Sequence, residues 1–130
     1  MTSTGTRAPG GVGRSWGLFQ AFRREQQHPA STYALLADDT VALLRRYRDL
    51  TDLVAVDVGG GPGYTAEALR AAGAQAFTLD PFEDELSLHG RTPSHALVGD
   101  GLHLPLGSAS VDLCCTLNAL EHVPEPWSFL

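Results

Sequence analysis

One stretch constrains the fold more than any other. Residues 53–58, LVAVDV, form a short apolar run, and GGGPG at 59–63 follows at once. Such a run reads as a buried strand of a parallel sheet. Four glycines in five positions cannot continue a strand or open a stable helix. They remove the Cβ atoms that would stand between backbone and ligand, and they reach backbone angles closed to other residues. YTAEALRAAG at 64–73 then reads as a helix closed by Gly73. Strand, glycine loop and helix make the opening unit of a doubly wound sheet, and that loop is where such sheets take their ligands.

The alternation continues downstream. AQAFTLD (74–80) predicts a second strand, PFEDELSLHG a short helix or turn, SHALVGD (94–100) a third strand and SVDLCCTLNAL (110–120) a fourth. PEPWSFL opens another helix, with Pro124 and Pro126 suited to its first turn. Strands separated by helical segments imply right-handed crossovers and a parallel sheet. The expected fold class is therefore α/β, a Rossmann-like parallel sheet with flanking helices. Upstream, WGLFQAFRREQQ sets Trp16, Phe19 and Phe22 at helical spacing, in a helix that ends before Pro29. STYALLADDTVALLRRYRDL (31–50) predicts a second helix, opened by the potential caps Ser31 and Thr32. Leu35, Leu36, Leu43, Leu44, Tyr47 and Leu50 form its apolar stripe. The expected organisation is a disordered tail over 1–15, an N-terminal helical cap over 16–50 and a sheet domain over 51–130. The sequence stops about one turn into a helix after only four strands, so it reads as the N-terminal half of a larger, incomplete sheet.

Composition narrows the partners. A formal net charge of −6 over 130 residues argues against nucleic acid as the main partner. No apolar stretch approaches the roughly 18 residues that a membrane span needs, and MTSTGTRAPGGVGRS lacks the apolar centre of a signal peptide. A cytoplasmic setting is the expectation. Cys114 and Cys115 are adjacent, so on a strand they point to opposite faces, which favours two small buried residues over a disulfide or a metal site.

Spelling alone leaves the ligand open. GPGYTA (61–66) satisfies the dinucleotide pattern G-x-G-x-x-G/A, while the absence of a following Gly-Lys-Ser/Thr excludes a P-loop. Charge separates the remaining candidates. Asp57 is the penultimate residue of strand one, where its carboxylate would meet the pyrophosphate of a dinucleotide. Two like charges about 4 Å apart cost roughly 4 kcal/mol at an effective dielectric near 20. S-adenosylmethionine presents an ammonium and a sulfonium to the same region and carries no phosphate, so Asp57 then becomes favourable.

Residues 53–123 resemble the cofactor half of a class I S-adenosylmethionine-dependent methyltransferase of the type 11 kind. VDVGGGPG matches the family's acid-x-Gly-x-Gly-x-Gly motif at Asp57, Gly59, Gly61 and Gly63. The resemblance implies that Asp80, closing TLD, holds both ribose hydroxyls, and a carboxylate has two oxygens to offer a vicinal diol. In VGDGLHLPL it implies that Asp100 takes the adenine amino group while Gly101 and Leu102 line the adenine ring. In VDLCCTLNALEHVPEP it places Asn118 beside the methionine moiety. S-adenosylmethionine is the implied cofactor, and a small-molecule or lipid-like acceptor is the implied substrate.

His122 falls near the methyl group by the same motif. It is a weak catalytic candidate, because methyl transfer from a sulfonium needs a base only when the acceptor must lose a proton. A structural turn at Glu121 and His122 is the favoured reading. His28, His89, His95 and His103 lack ligand-like spacing and receive no role. Trp16, Phe19, Phe22 and Tyr33 are read as core in preference to acceptor contacts. Two alternatives stay open: an NAD-dependent oxidoreductase, and an inactive fragment that only binds cofactor.

Overall fold

The computed structural model describes residues 12–130 except 26 and 92. Two helices, α1 (Val12–Arg24) and α2 (Pro29–Leu44), precede a strand β1 (Val54–Val58), a helix α3 (Tyr64–Ala71) and a strand β2 (Gln75–Asp80). A single-turn helix α4 (Glu83–Leu86) and a 3-10 turn at Leu88–Gly90 lead to β3 (Ala96–Val98). β4 (Leu113–Cys115), a second 3-10 turn at Leu120–His122 and α5 (Pro126–Phe129) complete the chain. The sheet order is β3-β2-β1-β4 and every pairing is parallel. A four-stranded Rossmann-like sheet with flanking helices is what the alternation predicts. Among the described residues no helix is long and apolar enough to cross a membrane.

β1 is central and buried on both faces, with side chains alternating between them. Ala55 packs with Val41, Leu50, Ala66, Leu69, Ala74 and Ala76 on the α2 and α3 side. Val56 and Val58 pack with Leu79 on the opposite face, helped by Phe77, Leu106, Val111 and Phe129. Four alanines in the first cluster let α3 lie close to the sheet. Asp57 shares the Ala55 face and is therefore carried under the start of α3.

Several expectations need correction. α1 opens at Val12, so residues 12–15 are helical; the rest of the expected tail, 1–11, lies outside the described residues. Ser31 and Thr32 do not cap α2. The helix opens with Pro29, and both hydroxyls donate back to the His28 carbonyl from inside the first turn. α2 ends at Leu44, and its own buried residues are Thr32, Ala37 and Val41; of the expected stripe, Leu50 beyond the helix is buried and Leu44 packs against the same core, while the rest is not buried. Small side chains win there because α2 packs against the alanine-rich α3. Leu35, Leu36, Leu43 and Tyr47 are exposed, as are Trp16, Phe19 and Phe22 of the expected aromatic core.

β4 is three residues long where eleven are expected. Asp112, just ahead of the strand, accepts the Val54 N–H on its carboxylate at 2.9 Å, and the ladder begins only at Leu113. Beyond Cys115 the chain bends over the glycine loop. Cys114 and Cys115 do lie on opposite faces, yet Cys114 is exposed and only Cys115 is partly covered, because β4 is an edge strand.

Candidate cofactor site

The strand order reverses between β2-β1 and β1-β4, so the loops leaving β1 and β4 open a crevice at the carboxyl ends of the strands. A cavity of about 520 Å³ fills this crevice. Its floor is Gly59, Gly60, Gly61 and Pro62, its sides include Asp57 and Asp80, and the β4 loop supplies Asn118, Ala119 and His122. Tyr33, Leu36 and Ala37 reach in from α2.

The glycine loop is fixed from below and behind. Gly59 N–H and Gly60 N–H both donate to the Leu79 carbonyl, at 2.7 and 3.3 Å. Gly59 has φ +72°, and a Cβ there would come within 2.6 Å of the Ala119 Cβ. A Cβ on Gly60 would collide with Thr78 Oγ1 and with the Asp57 carboxylate. Gly60 is thus as constrained as the three motif glycines, although the spacing argument passes over it. Gly63 ends the loop in a left-handed conformation ahead of α3 and faces away from the cavity.

The two acids play different parts. Asp80 Oδ2 accepts the Gly61 N–H and Oδ1 accepts the Phe82 N–H, both at 3.1 Å. Each oxygen keeps a further lone pair for a ligand hydroxyl. Asp57 is 2% exposed. Burial pushes its carboxyl up to about 7, hydrogen bonds from Thr65 and Cys115 partly offset that rise, and the charge of Asp80 adds to it. The sequence argument treats Asp57 as a fixed negative charge at the loop mouth. In the structure its charge is conditional, because the carboxyl lies beneath the loop and away from water. A cation in the crevice would restore the ionised form. Burial and the neighbouring Asp57 charge push the Cys115 thiol up as well, which keeps it a neutral neighbour of Asp57.

Asn118 is exposed, lines the cavity and has φ +55°. Asparagine tolerates this left-handed conformation better than other residues with a Cβ. His122 also lines the cavity, with Nε2 4.0 Å from Glu121 Oε1. Asp100, Gly101 and Leu102 do not reach it. Asp100 forms a turn of its own, accepting the Leu102 N–H and bonding His103 Nδ1, both at 2.9 Å, and these bonds hold its carboxyl below the usual range. The Phe129 ring covers Gly101 so closely that any Cβ there would collide with it.

An aromatic wall escapes sequence reasoning. His89, given no role above, lines the cavity and lies 3.0 Å through Nδ1 from Tyr64 Oη. The Tyr33 ring stacks on both, with centroids 6.0 Å from Tyr64 and 5.9 Å from His89. Arg91 stands 4.1 Å over the Tyr64 ring and donates through Nε to the Pro62 carbonyl at 2.9 Å. No local pattern links residues 33, 64, 89 and 91; the crossover brings them together. Tyr33, expected in the core, is instead a cavity wall.

Fold and crevice define a Rossmann-like domain with a glycine loop between two acids. Residues 56–130 match the family described as "Methyltransferase domain", and the chain belongs to that family. It is 39% identical over 128 residues to an uncharacterized methyltransferase of Mycobacterium ulcerans, an alignment covering 89% of this chain and 49% of that protein. An uncharacterized methyltransferase of Mycobacteroides abscessus is 40% identical over 129 residues, with coverages of 88% and 49%. The chain spans about half the length of these relatives. Among solved structures, the magnesium protoporphyrin IX methyltransferase of Synechocystis PCC 6803, determined with bound SAM, superposes with a TM-score of 0.60 at 21% identity. That superposition covers 95% of this chain and 71% of the other and shows a shared fold.

Proposed function

We propose that the crevice binds S-adenosylmethionine and that the protein transfers its methyl group to a small-molecule or lipid-like acceptor. One observation carries the reading: Asp57 and Asp80 open onto a single cavity on either side of a glycine loop that would collide with any Cβ at Gly60. The residues fit the cofactor. Loop backbone between Gly59 and Gly61 can approach it closely, Asp57 answers a cationic end, and Asp80 offers two oxygens to a diol. The cofactor supplies a methyl group already activated on a sulfonium. This chain's part is to hold and align it at the β4 loop, where Asn118 is placed for the methionine end. Asp100, Gly101 and Leu102 are proposed for adenine on the resemblance alone.

Family membership supports methyl transfer, and the oxidoreductase alternative finds no support in it. The apolar side of the cavity, with Leu36, Phe82, Leu88, Leu117 and Val123, supports an acceptor with substantial apolar surface. His122 is proposed as part of the supporting turn, so His122→Gln should lower turnover less than tenfold. A cytoplasmic setting is part of the same proposal. Calorimetric titration with S-adenosylhomocysteine and, separately, NAD tests the site. Binding of the first and none of the second is expected, and the opposite result refutes the reading. A chain that binds but does not turn over would release no S-adenosylhomocysteine when loaded with cofactor and candidate acceptors.

A further inference from the structure

Charge is unevenly divided along the chain. Residues 12–48 carry six arginines and three acids, whereas residues 49–130 carry two arginines and twelve acids. The helical hairpin is thus a cationic cap on an anionic sheet domain. α1, VGRSWGLFQAFRR, sharpens the contrast with three arginines and no acid, two of the arginines in its last turn. Its half-buried residues include Gly17, Leu18 and Ala21, and the Ala21 carbonyl accepts the Thr32 hydroxyl at 3.1 Å, which marks the side turned to α2.

Trp16, Phe19 and Phe22 recur at every third position and are 58%, 50% and 70% exposed. At about 100° per residue they span an arc of about 120°, and Arg23 falls inside it. The Trp16 and Phe19 rings lie 5.7 Å apart and form one aromatic surface, with Phe22 one turn further along the same arc. At the other end of α2, exposed Arg45, Arg46, Tyr47 and Arg48 repeat the same chemistry. Aromatic side chains on one arc, basic residues in the last turn and no acid are what a helix lying in a lipid interface requires. Trp is also the residue that settles best at headgroup depth.

We propose that α1 is a peripheral membrane-docking helix, which sinks Trp16, Phe19 and Phe22 into the surface of an anionic phospholipid bilayer while Arg23 and Arg24 pair with lipid phosphates. Charge complementarity selects this occupant. A second copy paired through the same helix would set one cationic cap against another, whereas an anionic bilayer attracts the cap and repels the acidic sheet domain, so the molecule is oriented as it docks. The consequence is positional. Tyr33, Leu36 and Ala37 of α2 wall the cavity, so docking α1 brings the cavity entrance to within about one helix diameter, roughly 10 Å, of the lipid surface.

The test is co-sedimentation of the chain with vesicles of phosphatidylcholine, with and without phosphatidylglycerol, read together with Trp fluorescence. Binding to the phosphatidylglycerol vesicles, a blue shift of emission and weakening by salt are expected. Arg23→Gln with Arg24→Gln should weaken partitioning by about thirtyfold. Trp16→Ser with Phe19→Ser and Phe22→Ser should abolish it, with far-ultraviolet circular dichroism unchanged because all three are exposed. The proposal is overturned if the parent ignores these vesicles, if both variants bind like the parent, or if the chain self-associates or binds single-stranded nucleic acid in preference to lipid.

Discussion

Asp80 Oδ2 accepts the backbone N–H of Gly61 at 3.1 Å across nineteen residues of sequence, tying the end of β2 to the loop that leaves β1. Asp80 therefore holds the crevice in shape as well as facing into it. Asp80→Ala should weaken S-adenosylhomocysteine binding by about 1.5 to 3 kcal/mol through the loss of charge-assisted hydrogen bonds. Asp100→Ala should cost much less, because Asp100 stands outside the cavity that Asp80 lines. Calorimetry on the two variants checks the order; equal losses would show that the β3 loop closes onto the ligand.

Asp57 predicts two opposed pH dependences. Its carboxyl lies near 7 in the folded chain and near 3.8 when unperturbed. Between those values the folded state keeps a proton that the unfolded state has released. Stability of the ligand-free protein should therefore fall as pH rises from about 4 to about 7, by up to roughly 1.4 kcal/mol per pH unit. Asp57→Asn should remove that slope and raise the melting temperature at pH 8 but hardly at pH 4. S-adenosylhomocysteine has lost the sulfonium but keeps an α-ammonium, which favours the ionised form, so it should bind more tightly as pH rises towards 7, by up to tenfold per unit, and level off above it. Thermal melts and titrations across this range check both signs, and a flat binding profile in the parent would remove Asp57 from the site.

Gly60 tests the floor of the crevice. Gly60→Ala should destabilise the fold by about 1 to 3 kcal/mol, the usual cost of overpacking, because neither Thr78 Oγ1 nor the Asp57 carboxylate has room to retreat. Gly13→Ala, where an added Cβ meets nothing within 4 Å, is the control. Denaturant unfolding of both variants gives the comparison.

Asn118 separates backbone from side-chain roles. With φ at +55°, Asn118→Gly should preserve the loop and lose any side-chain contact to the ligand, whereas Asn118→Val should strain the loop by about 1 kcal/mol or more. If the glycine variant binds S-adenosylhomocysteine like the parent, the side chain has no part in binding.

The docking helix can be checked independently of the cofactor. Saturating S-adenosylhomocysteine should leave vesicle partitioning of the chain unchanged within twofold, since no described residue of α1 lines the cavity. Co-sedimentation with and without the ligand measures this.

Sequence alone carried the strand, loop and helix unit, the parallel sheet and the two acids flanking the glycines, because each rests on local features: apolar runs, glycines at a turn, acids at strand ends. It also located Asn118 and His122, which do line the cavity. It misjudged burial. Trp16, Phe19, Phe22 and the α2 leucines have the spacing of a core stripe, yet Ala37 and Val41 are what α2 buries. Periodicity identifies a helix face without saying which face its neighbour will accept, and an alanine-rich partner accepts the small one.

Tertiary structure decided the rest for the same reason. Whether Asp57 is charged depends on the protein wrapped around it, so its carboxyl near 7 follows from a buried position under Gly60 that no motif encodes. The stack of Tyr33, Tyr64 and His89 arises where α2, α3 and the turn after α4 converge. The turn that holds Asp100 away from the cavity depends on His103 and on Phe129 over Gly101. Local chemistry fixed which residues could serve a ligand here, while desolvation and long-range packing fixed which of them face it and in what charge state.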